Sequence, residues 1–131
     1  MKIITIMSDF GMSPYAWERD EADEHRGVGG AITDSVCGFD NTPYKVSAEL
    51  QRDFREWAVY FEQHALNPRS LDWQEFNRAG LELAKRLKAE IGDQARVLYE
   101  APYEDPIGRR LRPVEILANG SLERMPLRGR V

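Results

Sequence analysis

The sequence predicts an α+β fold: a mainly antiparallel sheet, formed by an N-terminal strand and C-terminal strands, packed on an antiparallel helical hairpin. Three observations predict it. Residues 47–92 keep a helical apolar period through two segments with their own start and stop signals. Lys2–Met7 is β-branched and almost continuously apolar, as a strand buried on both faces should be. Residues 94–126 return to a strand period around an Asn119-Gly120 turn signal. The 131 residues suit one domain, burying about two-thirds of the surface that the unfolded chain exposes. The expected order is a single domain over 1–131, with 8–46 a long acidic, glycine-containing loop segment, 47–92 the helical hairpin and 94–126 the strands.

In order along the chain, Lys2–Met7 reads as a central strand. Ser8 to Trp17 is rich in turn formers, with Gly11 and Pro14 breaking regular structure and Tyr15 and Trp17 adding large apolar area. Glu18, Asp20, Glu21, Asp23 and Glu24 face only Arg19 and Arg26, so repulsion is expected to keep this stretch solvated. Ala31–Val36 is a candidate edge strand, and Asp40-Asn41-Thr42-Pro43 a turn.

Ser47 is the expected N-cap of the first helix, whose stripe is Leu50, Phe54, Trp57, Ala58, Phe61 and Ala65; Pro68 stops it near Leu66. Asp72 and Glu75 form a capping-box variant for the second helix, with Leu71 and Phe76 as the staple. The second stripe is Trp73, Phe76, Gly80, Leu83, Ala84, Leu87 and Ile91. Gly80 on that stripe permits close approach of another backbone or of Trp57, and Gly92 ends the helix. A loop of about five residues predicts an αα-hairpin. Ala95, Val97 and Tyr99 then alternate as a strand with one face in the core. Leu111–Leu117 and Leu122–Met125 flank a type I′ hairpin at Asn119-Gly120, and Pro113 makes the first of them an edge or bulged strand.

The net charge is -4, and it is unevenly spread: residues 1–50 hold four basic and nine acidic side chains, and residues 105–131 hold six basic and three acidic ones. An acidic chain argues against a general nucleic-acid binder, which needs a basic surface to displace phosphate counterions. The acidic start and basic end either attract each other within the fold or leave an acidic face for a cationic partner. A single cysteine, Cys37, excludes an internal disulfide and a multi-cysteine zinc site. No stretch approaches the roughly 18 apolar residues of a membrane span, so a cytoplasmic protein without membrane contact is expected.

Motifs that could carry chemistry have plainer readings. Asp9-Phe10-Gly11 has the letters of the kinase metal-binding triplet without the companion loops, so it reads as a turn after a strand. Gly27-Val28-Gly29-Gly30 lacks the Lys-Ser/Thr ending of a phosphate loop. Cys37 with His25 or His64 could pair as nucleophile and base, but a structural thiol is the simpler reading. Asp20, Asp23, Glu24 and His25 lack EF-hand spacing, and no cofactor, metal or catalytic set is assigned. Asp9 with another strand-end acid could form the carboxylate pair of a hydrolase, with the His25 loop and Arg109, Arg110 and Arg112 nearby. The aromatics Trp57, Phe61, Trp73 and Phe76 lack basic interleaving and read as core.

The opening strand running into Ser8-Asp9-Phe10-Gly11 with Trp17 nearby, the helical pair closing on Leu87-Lys88-Ala89-Glu90-Ile91-Gly92-Asp93, and the Val97-x-Tyr99 strand together resemble small bacterial proteins of the toxin-immunity type. The resemblance spans the first strand and residues 47–99 and carries no catalytic residues with it. It implies a non-enzymatic binder, an immunity protein or antitoxin whose partner is a cationic toxin domain. The residues expected to meet that partner are Tyr15, Trp17, Glu18, Asp20, Glu21, Asp23 and Glu24, the carboxylates opposing basic side chains and the aromatics anchoring the contact. Two alternatives stand beside it: a small hydrolase or metal-dependent enzyme using Asp9 and the His25 loop, and a phage or bacterial assembly protein that exposes a sheet edge.

Overall fold

The computed structural model describes residues 1–23, 27–106 and 112–125. It belongs to the α+β class. Among the described residues there are six strands, β1 (Lys2–Ile6), β2 (Ala16–Asp20), β3 (Gly30–Ala31), β4 (Arg96–Tyr99), β5 (Val114–Ile116) and β6 (Leu122–Arg124), and two α-helices, α1 (Ala48–His64) and α2 (Trp73–Ile91). The strands form one sheet in the order β3-β2-β1-β4-β5-β6.

The sheet is mixed, which corrects the mainly antiparallel expectation. β1 and β4 run parallel with Ile4 beside Val97 and Ile6 beside Tyr99, while the four other pairings are antiparallel. A parallel neighbour needs a crossover that returns the chain to the end where it started. Here the crossover between β1 and β4 contains both helices, so the segment that the period identifies as helical also sets the strand direction.

β1 lies inside the sheet, and four of its five residues, Ile3–Ile6, are buried. The alternation of β4 predicts one buried face, yet Leu98 is buried as well as Val97 and Tyr99, so both faces of this strand are covered. Ile4, Ile6, Val97, Tyr99 and Ile116 join the helix stripes in one core with Leu50, Phe54, Phe61, Leu83 and Leu87.

The helices begin where the caps predict. Ser47 Oγ accepts from Leu50 N–H at 3.2 Å, and the Asp72 carboxylate accepts from Glu75 N–H at 3.1 Å. The capping box is half made, since the Glu75 carboxylate turns to Arg78. Trp57 of α1 stacks on Phe76 of α2 at 4.7 Å between ring centroids and donates from Nε1 to the Phe76 carbonyl at 3.0 Å. Gly80 admits this contact, because a Cβ there would meet both the Trp57 ring and Tyr99 Cε1, the latter at 2.6 Å.

The segment 8–46, expected to be loop, contains β2 and β3. All five residues of β2 pair with β1, from Lys2 with Asp20 to Ile6 with Ala16. Backbone pairing and the cross-strand lysine offset the repulsion that led to a loop assignment. In place of an edge strand over Ala31–Val36 only Gly30–Ala31 pair, because Asp34 Oδ1 accepts from Val36 N–H and Cys37 N–H and turns the chain. Thr42 N–H donates to the Phe39 carbonyl at 3.0 Å in the expected turn.

The C-terminal hairpin differs in its turn. Gly120 has φ +85° and Asn119 does not share a positive φ, so this is not a type I′ turn. Gly120 N–H reaches the Leu117 carbonyl and Leu117 N–H the Ser121 carbonyl, the pattern of a three-residue loop closed by a left-handed glycine. Pro113 precedes β5, where its missing N–H removes no ladder bond, so β5 is an interior strand and β6 the edge. Leu111 lies outside the described residues.

Candidate functional site

The seven residues expected to meet a partner do not form one patch. Tyr15 is wholly buried, stacked on Phe54 at 4.8 Å between centroids. A ring in that place holds the core together and is not presented to a partner. The rest lie on or after β2, where side chains alternate between sheet faces. Glu18 and Asp20 share the face of Ala16, Ile4 and Ile6, whereas Trp17 and Arg19 share the face of Thr5 and Ile3. Trp17 is therefore on the opposite face from Glu18 and Asp20, and its Nε1 donates to the Met7 carbonyl at 2.9 Å. A loop could have clustered all of them; a strand divides them.

The carboxylates also have partners within the chain. Glu18 Oε2 accepts from Tyr44 Oη at 2.5 Å, and burial, ahead of the hydrogen bond and the charge of Glu18, pushes the Tyr44 phenol well up. Asp20 pairs with Lys2 at 3.1 Å, both side chains about half exposed. Arg96 holds Glu115 at 2.8 Å and reaches Glu21 at 3.3 Å. These pairings join the acidic start to Lys2, from the start itself, and to Arg96, from the middle of the chain, and not to the basic C-terminal end expected to attract it. Glu24 and His25 lie outside the described residues.

What survives as a surface is the turn after β2. Asp20, Glu21 and Asp23 are all exposed. Asp23 N–H donates to the Asp20 carbonyl at 3.0 Å, and Glu21 N–H to the Met1 carbonyl at 2.8 Å, which ties the turn to the start of β1. Three carboxylates are thereby displayed on a backbone tied to Met1, a residue 65% exposed.

A second group of acids lies at the opposite end of the sheet, where β1 and β4 both finish. Asp9 follows β1 and Glu104 follows β4. Burial first, and the nearby Asp9 charge after an opposing backbone hydrogen bond, push the Glu104 carboxyl up. Its Oε1, like the Ser8 hydroxyl, is buried without a hydrogen-bond partner among the described residues. Asp9 Oδ1 accepts from Phe10 N–H at 2.8 Å. Strand direction, which a single sequence does not reveal, brings Asp9 and Glu104 together. Of the arginines considered with Asp9, Arg109 and Arg110 lie outside the described residues. Arg112 lines a separate cleft of about 290 Å³ with Leu81, Tyr99 and Val114.

At the Asp9 end, in the connection from β1 to β2, Gly11, Met12 and Ser13 are three successive residues with positive φ, at +88°, +61° and +50°. Glu62 on α1 holds this bend by accepting from Ser13 N–H at 2.8 Å and from its hydroxyl at 3.1 Å. Among the described residues no three histidine, cysteine, aspartate or glutamate side chains are grouped to hold a metal ion, and no helix is long and apolar enough to cross a membrane. No known protein family, curated protein or solved structure matches the chain.

Proposed function

We propose that the protein is a non-enzymatic protein-binding inhibitor of the immunity or antitoxin type, which neutralises a cationic toxin domain in the cytoplasm through the acidic turn 20–23. The observation that carries the reading is the fixed display of Asp20, Glu21 and Asp23, hydrogen-bonded through the backbone to one another and to Met1. Charges held in place before contact lose little conformational freedom on binding, and a cluster of one sign speeds encounter with an oppositely charged surface. Lys2 and Arg96 lie close enough to exchange partners when basic side chains of a toxin approach. The resemblance of the first strand and residues 47–99 to immunity-type proteins points the same way. Tyr15 and Trp17 drop out of the contact, and Met1 supplies the exposed apolar surface.

The test is a pull-down from the native host, with a check of whether a neighbouring reading frame is toxic unless this chain is co-expressed. The expected result is a basic partner whose capture weakens with salt and whose toxicity is relieved by the wild-type chain but not by Asp20→Asn/Glu21→Gln/Asp23→Asn. Capture and rescue that are indifferent to those three substitutions, in a variant that still melts cooperatively, would contradict the reading.

One observation favours a second reading, a small hydrolase with Asp9 and Glu104 as its carboxylate pair. Burial, and after it the Asp9 charge, push the Glu104 carboxyl up, and two carboxyls brought to one end of a sheet are what an acid–base pair is built from. Assays with ester, glycoside and phosphodiester substrates separate the two readings: turnover lost in both Asp9→Asn and Glu104→Gln supports the hydrolase, and no turnover by the wild type removes it.

A further inference from the structure

The first half of α1 and the turn over residues 34–40 enclose a cleft of about 300 Å³, room for a molecule of amino-acid size. Its walls carry opposite charges. Arg52 and Arg55, one helical turn apart on α1, line one side, Arg52 also reaching Asp53 at 3.5 Å; Asp34 and Asp40 of the turn line the other. Asp34 Oδ1 is fixed by the Val36 and Cys37 N–H groups at 2.8 and 2.7 Å, so this wall is held in place without using Oδ2.

The floor holds the hydroxyl of Tyr15, a residue with 0% of its surface exposed. That hydroxyl has no hydrogen-bond partner among the described residues. It lies 3.5 Å from where a side chain on Gly38, another lining residue, would begin. A hydroxyl taken out of water without a partner has lost hydrogen bonds and gained none, which an occupant of the cleft would restore. Burial, followed by the charges of Asp34 and Asp40, pushes the Tyr15 phenol far above its ordinary range. Asp34 and Asp40 come from the same turn as Gly38, which borders that hydroxyl, whereas Arg52 and Arg55 come from α1.

We propose that this cleft binds a small zwitterion of the amino-acid class, its ammonium group donating to Tyr15 Oη, Asp34 and Asp40 and its carboxylate accepting from Arg52 and Arg55. A simple anion meets two carboxylates here and a simple cation meets two guanidinium groups. Only a ligand carrying both charges complements both walls.

Amide NMR of the full chain, titrated with a panel of free amino acids and separately with methylammonium and with acetate, tests the assignment. At least one amino acid should give saturable shifts at Cys37, Gly38 and Gln51 in the millimolar range, with each half-ligand at least about tenfold weaker. Tyr15→Phe removes an oxygen with no protein partner, so its melting temperature should hold or rise while binding weakens about tenfold, the worth of one charge-assisted hydrogen bond. Arg52→Gln/Arg55→Gln, on the exposed face of α1, should weaken it as much. No saturable shift with any amino acid, equal shifts with acetate or methylammonium alone, or a Tyr15→Phe that binds as the wild type does would overturn the proposal.

Discussion

Gly80 shows how far a single residue can be read from sequence. Its place on the apolar stripe of α2 marks it as a site of close approach, and the structure supplies what approaches: the Trp57 ring and the Tyr99 ring. Gly80→Ala gains up to about 1 kcal/mol in helix propensity but forces a methyl group into two rings, and overpacking of that kind costs about 1–3 kcal/mol. Because Tyr99 Oη is held by Asn77 Oδ1 at 2.6 Å and Trp57 by its bond to Phe76, neither ring can withdraw cheaply. Denaturant unfolding should show a lower midpoint at unchanged slope.

Glu104 is a residue whose importance the sequence hides, since nothing near it in the chain announces burial or the proximity of Asp9. Its carboxyl holds its proton to higher pH in the folded chain than in the unfolded one, through burial first. The stability this contributes is fully present below the ordinary glutamate value of about 4.3, and it is lost as pH rises through the folded value. Glu104→Gln cannot ionise, so it should be more stable than the wild type at neutral pH. The advantage should shrink to nothing at acid pH, which thermal melts over a pH series will read directly. Tyr15 illustrates the same blindness in reverse, because a tyrosine between Pro14 and Ala16 looks like loop until Phe54 and Phe39 are seen around it.

At the scale of elements, helices were the most legible part, because period and capping are local. Ser47, Asp72 and Gly92 bound them as expected, and Gly92 takes φ +58°. What locality could not reveal is the tie between the two helices. Glu90, near the end of α2, accepts from the Ser47 backbone N–H and hydroxyl, both at 2.7 Å, so the N-cap of α1 is itself held by α2. Ser47→Ala should cost about 1 kcal/mol as a lost cap, and Glu90→Gln less. A double-mutant cycle should give a coupling of about 0.5 kcal/mol or more; strict additivity would mean that the contact contributes nothing. Strands were harder to read. β2 reads as loop from its charges because the cations that balance β2 and the turn after it are distant in sequence: Lys2 lies 18 residues from Asp20, and Arg96 lies 75 from Glu21. Asn119-Gly120 marks the hairpin and not its turn type, since one glycine serves a three-residue loop as well as a two-residue one.

At the scale of the whole molecule, the fold class was legible and the sheet topology was not. Periodicity says which segments are strands, whereas the direction of β4 beside β1 is decided by the path through the helices. That direction matters for function, because it sets the acids Asp9 and Glu104 at one end of the sheet and the turn 20–23 at the other. The charge imbalance of the chain becomes a directional property in the fold: one end displays Asp20, Glu21 and Asp23 on a fixed backbone. A binder built this way should depend on electrostatic steering, which acts on association and is screened by salt.

The most direct test is therefore the rate at which the captured partner associates with the protein as ionic strength is raised. The association rate should fall steeply as the Debye length shortens from about 30 Å to about 8 Å. In Asp20→Asn/Glu21→Gln/Asp23→Asn the rate should be reduced about tenfold and be far less sensitive to salt, with dissociation little changed. An association rate that ignores salt and is the same in wild type and variant would contradict the acidic turn as the recognition surface.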